Sequence, residues 1–351
     1  NIDDLGADRI ASGFMGATLF HIKENDPQLF SLAARALPPT DFIRRKLTGG
    51  GEFSTDPTNA FATGLFNTRE SKWHNDVISA LGLPLNILPS IKNTSEISGG
   101  ICADVSRVTG LRIGAPVATG GGDNQMAMLG SGAISPGGPL CINIGTSSQI
   151  CAVTGEFRKI PGIDTRSYFH GKFALVYAGL TGGKCYTWLK DTLLSDASAL
   201  CAYARNEENV FGVLDRLAEE APSGCDGLTF TPTLRGTRRN PALRGEFKGI
   251  GENNFTLGHR ARAVMEGVVS ELLESYNLMG NINSRFITGA GNGLVKSEIW
   301  QKITASAFGL PLKIADMENA VFGAAVSAAE GAGLLTLEQI SIPYTRTVLP
   351  E

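Results

Sequence analysis

The stretch ATGGGDNQMAMLGSG, residues 118–132, sets three glycines, Gly120, Gly121 and Gly122, directly before the carboxylate of Asp123. An apolar run, APVAT, precedes them, and a small-residue helix candidate, NQMAML, follows. A carboxylate on a short glycine loop at a strand's C-terminal end can take the proton of a hydroxyl held in line with a phosphoryl group. The same residue type also suits an Asx turn, where its side chain serves only the local backbone. Three more glycine-rich turns follow apolar runs, at 145–148, 181–183 and 289–293. Such turns aim several N–H groups into one concavity, and the missing side chains let a phosphate approach closely. Each turn alone also reads as a tight connection between elements; several in one chain favour nucleotide binding. No G-x-x-x-x-G-K-[ST] occurs, which excludes a P-loop. No G-x-G-x-x-G with its following acid occurs either, which argues against a dinucleotide site.

Alternating strands and helices must position these turns. APVATGGGDN reads as a buried strand ending in a loop, and PLCINIGTSSQICAVTG as two strands about a Gly-Thr-Ser-Ser turn. KFALVYAGLTGGKCYTWLKDTL reads as strand, glycine loop and helix, and the pattern returns in SRFITGAGNGLVKSEIWQKITASAFGL. This alternation predicts an α/β architecture. RARAVMEGVVSELLESYNLM carries Val264, Val268, Leu272 and Tyr276 at near-helical spacing and predicts a long amphipathic helix. Residues 1 to about 95 read as helical and loop-rich, with helices predicted in PQLFSLAARAL and KWHNDVISALGL. The Gly/Pro-rich SGAISPGG, residues 131–138, separates two strand systems and divides the chain into 1–136 and 137–351.

A length of 351 residues suits about two domains. The net charge of -3 argues against a nucleic-acid or membrane-surface partner, which would call for a basic field. No run of 18 apolar residues and no secretory signal are visible. The six cysteines form no C-x-x-C pair and read as reduced, mostly buried thiols of a cytoplasmic protein. The four histidines are scattered and form no zinc pattern, and His74 and His170 have no evident partner. Trp73, Trp188 and Trp300 read as core residues. Arg235, Arg238 and Arg239 read as a solvated loop or a cleft lining, and Lys184 as an exposed helix-start lysine or a phosphate contact.

VATGGGDNQMAMLGSGAISPGGPLCINIGTSSQI resembles the core of the FGGY carbohydrate kinases, most of all their xylulokinase members. LPPTDFIRRKLTGGGEFSTDPTNA, LRGTRRNPALRGEFKGI with HRARAVMEGV, TGAGNGLVKSEIWQKITASAFGLPL and ENAVFGAAVSAAEGAG extend the likeness in order along nearly the whole chain. The resemblance implies a two-lobed actin-like (ribonuclease H-like) α/β ATPase fold. Residues 1–136 would be the remainder of a sugar-binding lobe and 137–351 the nucleotide-binding lobe. It implies ATP-dependent phosphorylation of a sugar, foremost D-xylulose to D-xylulose 5-phosphate, with ATP and Mg2+, in a cytoplasmic protein for which a homodimer is a common assembly. Matched by position, Asp123 would be the general base and would contact the sugar with Asn124. Gly145, Thr146, Ser147, Gly182, Gly183, Gly289, Gly291, Ser297 and Gln301 would bind the nucleotide.

Some positions depart from the family pattern. Thr18 and His21 stand where the early signature has Lys and Trp, Arg260 stands at an apolar position, and Ser306 replaces an acid. The family's opening Asp-x-Gly-Thr phosphate loop has no counterpart here, so the first lobe is expected to be incomplete and this chain alone poorly stable and inactive. Another ketose or polyol as acceptor, or a non-catalytic actin-like protein that binds nucleotide or sugar, is the alternative.

Overall fold

Strand Leu140–Ile144 and strand Ser148–Thr154 alternate their side chains between two faces, and both faces are covered. In the computed structural model, which describes residues 10–201, 210–238, 240–280, 282–315 and 317–351, they lie at the centre of a seven-stranded sheet. From edge to edge the sheet runs Tyr344–Val348, Leu312–Ala315, Ile287–Ala290, Leu140–Ile144, Ser148–Thr154, Phe173–Gly179 and Asp164–Ser167. Leu140–Ile144, Ile287–Ala290 and Leu312–Ala315 are parallel, and the remaining pairings are antiparallel. This is the α/β architecture that the alternation predicts.

Ile142, Ile144, Ile150 and Leu175 fill one face, against helices Gly183–Cys201, Val210–Glu220, Leu257–Met279 and Glu298–Phe308. Val264, Val268 and Leu272 of the long helix are fully buried there, with Tyr276 packed at the margin, as their spacing predicts. Trp300 belongs to this core, and Trp188 stacks on Phe230 at 6.0 Å. Cys151, Val153, Ala174 and Val176 fill the other face. They meet Met126, Met128 and Leu129 of helix Asp123–Gly130 and Val326 of helix Asn319–Gly331. These two helices cross so closely at Gly130 and Gly323 that a Cβ on either would run into the other's main chain.

Residues 10–136 fold differently. Their described strands occur only in two-stranded pairs: Ser54–Thr55 with Ser90–Ile91, Phe66–Asn67 with Lys72–Trp73, and Ile97–Gly100 with Pro116–Ala118. Leu19, Leu65, Val77, Ile78, Leu83, Ile87 and Leu88 form a small core of their own. The predicted helices are shorter here. PQLFSLAARAL is helical only over Pro27–Leu32 and turns extended at Ala33, leaving Leu32 80% exposed. In KWHNDVISALGL the helix is Asn75–Ala80. Lys72–Trp73 instead pairs as a strand, with Trp73 edge-on to Phe66, and Gly82 at φ +61° stops the helix. The strand expected in APVATGGGDN is only Pro116–Ala118, and it is partly exposed rather than buried.

Among the described residues no helix is long and apolar enough to cross a membrane. Cys102, Cys141, Cys151, Cys185 and Cys225 are free thiols, the last three buried.

Candidate functional site

Strand register brings three of the four glycine turns to one end of the sheet, where its interior strands stop. Ile144 pairs with Ser148, Ser148 with Gly179, and Asn143 with Ala290. The turns at 145–147, 180–183 and 291–293 therefore leave the sheet side by side. Their main chains interlock. Gly145 N donates to Ser147 O at 3.0 Å, Gly182 N to Thr146 O at 3.0 Å, and Gly183 N to Gly145 O at 2.8 Å. A Cβ at Gly182 would lie 2.5 Å from the Ser147 carbonyl carbon, and one at Gly183 2.5 Å from Gly145 O. Gly291, at φ +84°, lies against Asn143 and the Ile144 carbonyl. These glycines are required because backbone touches backbone. Gly145 differs: the nearest atom to a Cβ built there is Asn143 Oδ1, at 3.7 Å. Thr146 and Ser147 are exposed at the rim.

The other residues of the expected nucleotide set stand behind these turns. Gly289 lies within its strand, where a Cβ would meet Ile314 Cδ1 at 2.6 Å. Ser297 caps helix Glu298–Phe308 through Trp300 N at 3.3 Å. Gln301 is 1% exposed, and its amide donates to the carbonyls of Leu294 and Val295 at 2.9 and 3.0 Å. Both residues thus shape the 292–297 segment from within. Burial raises the Asp215 carboxyl beside them, an effect opposed by hydrogen bonds from Tyr186 and Ser297. Burial likewise raises the carboxyl of Glu271, whose Oε2 would lie 3.0 Å from a Cβ at Gly179.

The fourth turn reaches the same sheet from its other face. Gly120 takes φ +87°, which a side chain rarely adopts. At Gly121 a Cβ would lie 2.7 Å from Met126 Cε and 3.0 Å from Thr58 Oγ1, so the main chain passes where no side chain fits. Helix Asp123–Gly130 follows at once, with Asp123 exposed at its first position. Asp123 Oδ1 accepts from Asn124 N at 2.7 Å. The Asn124 amide crosses to the sheet, donating to Gln149 Oε1 at 2.9 Å and Cys151 Sγ at 3.5 Å. Gln149 is the second residue of the strand that leaves the 145–147 turn. Gln125 Nε2 reaches Ser167 O at 3.3 Å on the edge strand.

Some polar residues gain partners that spacing did not reveal. His170, at φ +55°, pairs with Glu330 at 2.9 Å. Arg166 bonds Asp164 at 2.8 Å and lies over the Phe61 ring, while Arg238 Nη1 is 3.9 Å from Asp164 Oδ2. Arg239 lies outside the described residues. Asp41, Arg44, Asp56, Thr58 and Thr94 also bear on the glycine loop. Their signals in the sequence are local: Asp41 and Arg44 are i,i+3 on a helix, and Asp56 precedes Pro57 as a helix cap.

Comparison with known proteins adds to this geometry. The sequence model of the FGGY family of carbohydrate kinases, N-terminal domain, matches residues 5–130, and that of the C-terminal domain matches residues 140–332. The chain is 29% identical over 353 residues to the xylulose kinase of Bacillus subtilis (strain 168), covering 98% of this chain and 67% of that protein. It is 28% identical over 309 residues to the xylulose kinase of Escherichia coli (strain K12), covering 86% of this chain and 60% of that protein. Its fold is similar to the crystal structure of xylulose kinase from Rhodospirillum rubrum, with a TM-score of 0.85 and 24% identity, over 97% of this chain and 68% of that chain. The chain thus spans between 60% and 68% of the length of these relatives.

Proposed function

The chain belongs to the FGGY family of carbohydrate kinases, and on that premise we propose that it serves ATP-dependent phosphorylation of a sugar hydroxyl, D-xylulose to D-xylulose 5-phosphate. The supporting observation is the Asn124–Gln149 hydrogen bond. It ties the loop that ends in Asp123 to the hairpin whose turn belongs to the glycine nest. The proposed division of labour follows. Residues 1–136 hold the sugar, and residues 137–351 hold the nucleotide.

The turns at 145–147, 182–183 and 291 present backbone to the phosphates, with Gly289, Ser297 and Gln301 shaping the segment behind them. Asp123 takes the proton of the sugar hydroxyl as that oxygen bonds the γ-phosphorus and the bond to the β-phosphate oxygen breaks. Asn124 holds the Asp123 loop against the sheet. In phosphoryl transfer Mg2+ needs only one or two carboxylates beside phosphate oxygens and water. Asp123, an exposed carboxylate at the start of its helix, would be one such group on this chain. The metal's contribution would be neutralisation of phosphate charge.

A coupled assay of ADP release across ketopentoses, run on the complete protein with Asp123→Asn beside the unaltered form, tests this reading. The expected result is turnover with D-xylulose that falls about 10²–10⁴-fold in the variant, with ADP binding retained. Near-unaltered turnover in Asp123→Asn removes Asp123 from the mechanism. ADP binding with no sugar-dependent turnover in the unaltered protein assigns a binding role instead.

A further inference from the structure

Two buried polar chains converge on the main chain that delivers Asp123. The first starts at Asp41, 0% exposed, on helix Pro39–Leu47. Arg44, 5% exposed, donates from Nη1 to Asp41 Oδ1 at 2.6 Å and to Thr119 O at 2.7 Å. Its Nη2 donates to the Ser54 carbonyl and to Ser54 Oγ. The planar fork thus spans a carboxylate, a strand and the last carbonyl before Gly120. Thr119 N donates in turn to Glu96 O at 2.7 Å.

The second chain starts at Asp56, also 0% exposed, at the N-cap of helix Pro57–Phe61. Its Oδ2 accepts from Thr58 N at 2.9 Å, Thr58 Oγ1 at 2.6 Å and Thr94 Oγ1 at 2.7 Å. Thr58 Oγ1 accepts Gly122 N–H at 2.7 Å. The direction is forced. A backbone N–H only donates, so the threonine oxygen accepts there, and its single proton is free to go to Asp56. A buried carboxylate therefore sets the orientation of a hydroxyl that fixes one backbone amide.

A run of three glycines has no side chains with which to hold itself and carries the largest conformational entropy of any residue type. Bonds from outside must fix it, and here they grip Thr119 at one end and Gly122 at the other. We propose that Thr58 and Arg44, backed by Asp56 and Asp41, are positioning residues that fix the 119–122 main chain and thereby the point where Asp123 meets the sugar hydroxyl. The proposal rests on the kinase reading given above. A general base works only within hydrogen-bond reach of its proton, so a loosened loop lowers kcat while the nucleotide nest, on another part of the chain, is untouched.

Thr58→Val, which exchanges the hydroxyl for a methyl, is the test, with Thr58→Ser as the conservative rescue. The expected result for Thr58→Val is a kcat lower by about 10- to 100-fold with unchanged KM for ATP. Thr58→Ser restores it. Amide hydrogen exchange at Gly122, read without any substrate, rises by about tenfold in Thr58→Val and not in Thr58→Ser, as loss of one buried hydrogen bond requires. Thr58→Val with unaltered kcat, or with Gly122 still protected, overturns the proposal. If Gly122 loses protection while Asp123→Asn turns over normally, the kinase role of Asp123 fails and the clamp stands as a structural feature alone. Should Thr58→Val not fold, Arg44→Lys is expected to lower kcat with unchanged KM for ATP, because an ammonium cannot span carboxylate and carbonyls as the fork does, and an unaltered kcat there overturns the proposal.

Discussion

The glycine turns at the end of the sheet and the loop that delivers Asp123 hold their main chain by opposite means. On the sheet side, the turns at 145–147, 182–183 and 291 are fixed by strand register and by backbone packed directly on backbone, over an extensive apolar core. On the other side, the loop at 119–122 is fixed by buried ions and hydroxyls, in a region whose strands come only in pairs. The first arrangement spreads its stability over many small contacts. The second concentrates it in a few bonds, each of which leaves a buried group unpaired when broken. The carboxylate proposed to do the chemistry therefore depends on the more fragile device, and the proposed phosphate loops on the more redundant one.

That contrast predicts a pH dependence peculiar to the polar side, and it is the largest effect expected here. Burial pushes the Asp41 carboxyl up to about 6 from its ordinary 3.8, and the nearby Thr55 hydroxyl and the charge of Arg44 only partly offset this. The native state therefore keeps a proton that the unfolded chain loses between those two values. Asp41's contribution to stability is full below pH 3.8, falls as pH rises, and is lost once pH passes about 6. Linkage puts the loss at about 3 kcal/mol. Urea unfolding of the unaltered protein and of Asp41→Asn at several pH values between 4 and 7 measures it. Asp41→Asn, which mimics the protonated carboxyl, is expected to lack this fall and so to be at least as stable as the unaltered protein at neutral pH. Parallel curves for the two proteins would show that Asp41 titrates alike folded and unfolded.

The sheet side is expected to show a smaller, pH-independent sensitivity. A methyl at Gly182 would come within 2.5 Å of the Ser147 carbonyl carbon and 2.7 Å of Ser148 N, so main chain must move. Gly182→Ala should cost about 1–3 kcal/mol. A shifted urea midpoint with unchanged slope checks this. A midpoint equal to the unaltered protein's would mean that the two turns yield freely and that register alone holds them.

How much of this was legible in the sequence follows the same division. The hairpin about Gly145, the strand–loop–helix units and the helix of Val264, Val268 and Leu272 were readable because period 2 and period 3.6 record burial on a sheet or helix face. The four glycine turns were readable as turns; the meeting of three of them at one end of the sheet was not, because register is a property of the folded sheet. The polar clamp left only fragments. Asp41 with Arg44, and Asp56 before Pro57, are local patterns, but Arg44 reaches Thr119 across 75 positions and Thr58 reaches Gly122 across 64. Polar groups bonded over such separations leave no periodicity. His170 and Glu330, 160 positions apart, were hidden for the same reason. In residues 10–136, local helix patterns over-reached, since a short helix there ends wherever Gly82 or an extended residue such as Ala33 interrupts it.

The smallest expected effect separates a glycine kept for the fold from one kept for a ligand. Gly182 has no room for a side chain. Gly145 has room, and its backbone is not in the left-handed region, so a side chain there would project into the open space before the turn. Gly145→Val should therefore leave the urea midpoint near that of the unaltered protein. If that space receives a nucleotide phosphate, the isopropyl group occupies it, and ADP affinity falls by about tenfold, or about 1.4 kcal/mol. Calorimetric titration of ADP into both proteins makes the measurement. Weaker binding with an unshifted midpoint assigns the 145–147 turn to the ligand. Equal affinity would reduce that turn to a hairpin connection and leave Gly182, Gly183 and Gly291 as packing devices with no phosphate to serve.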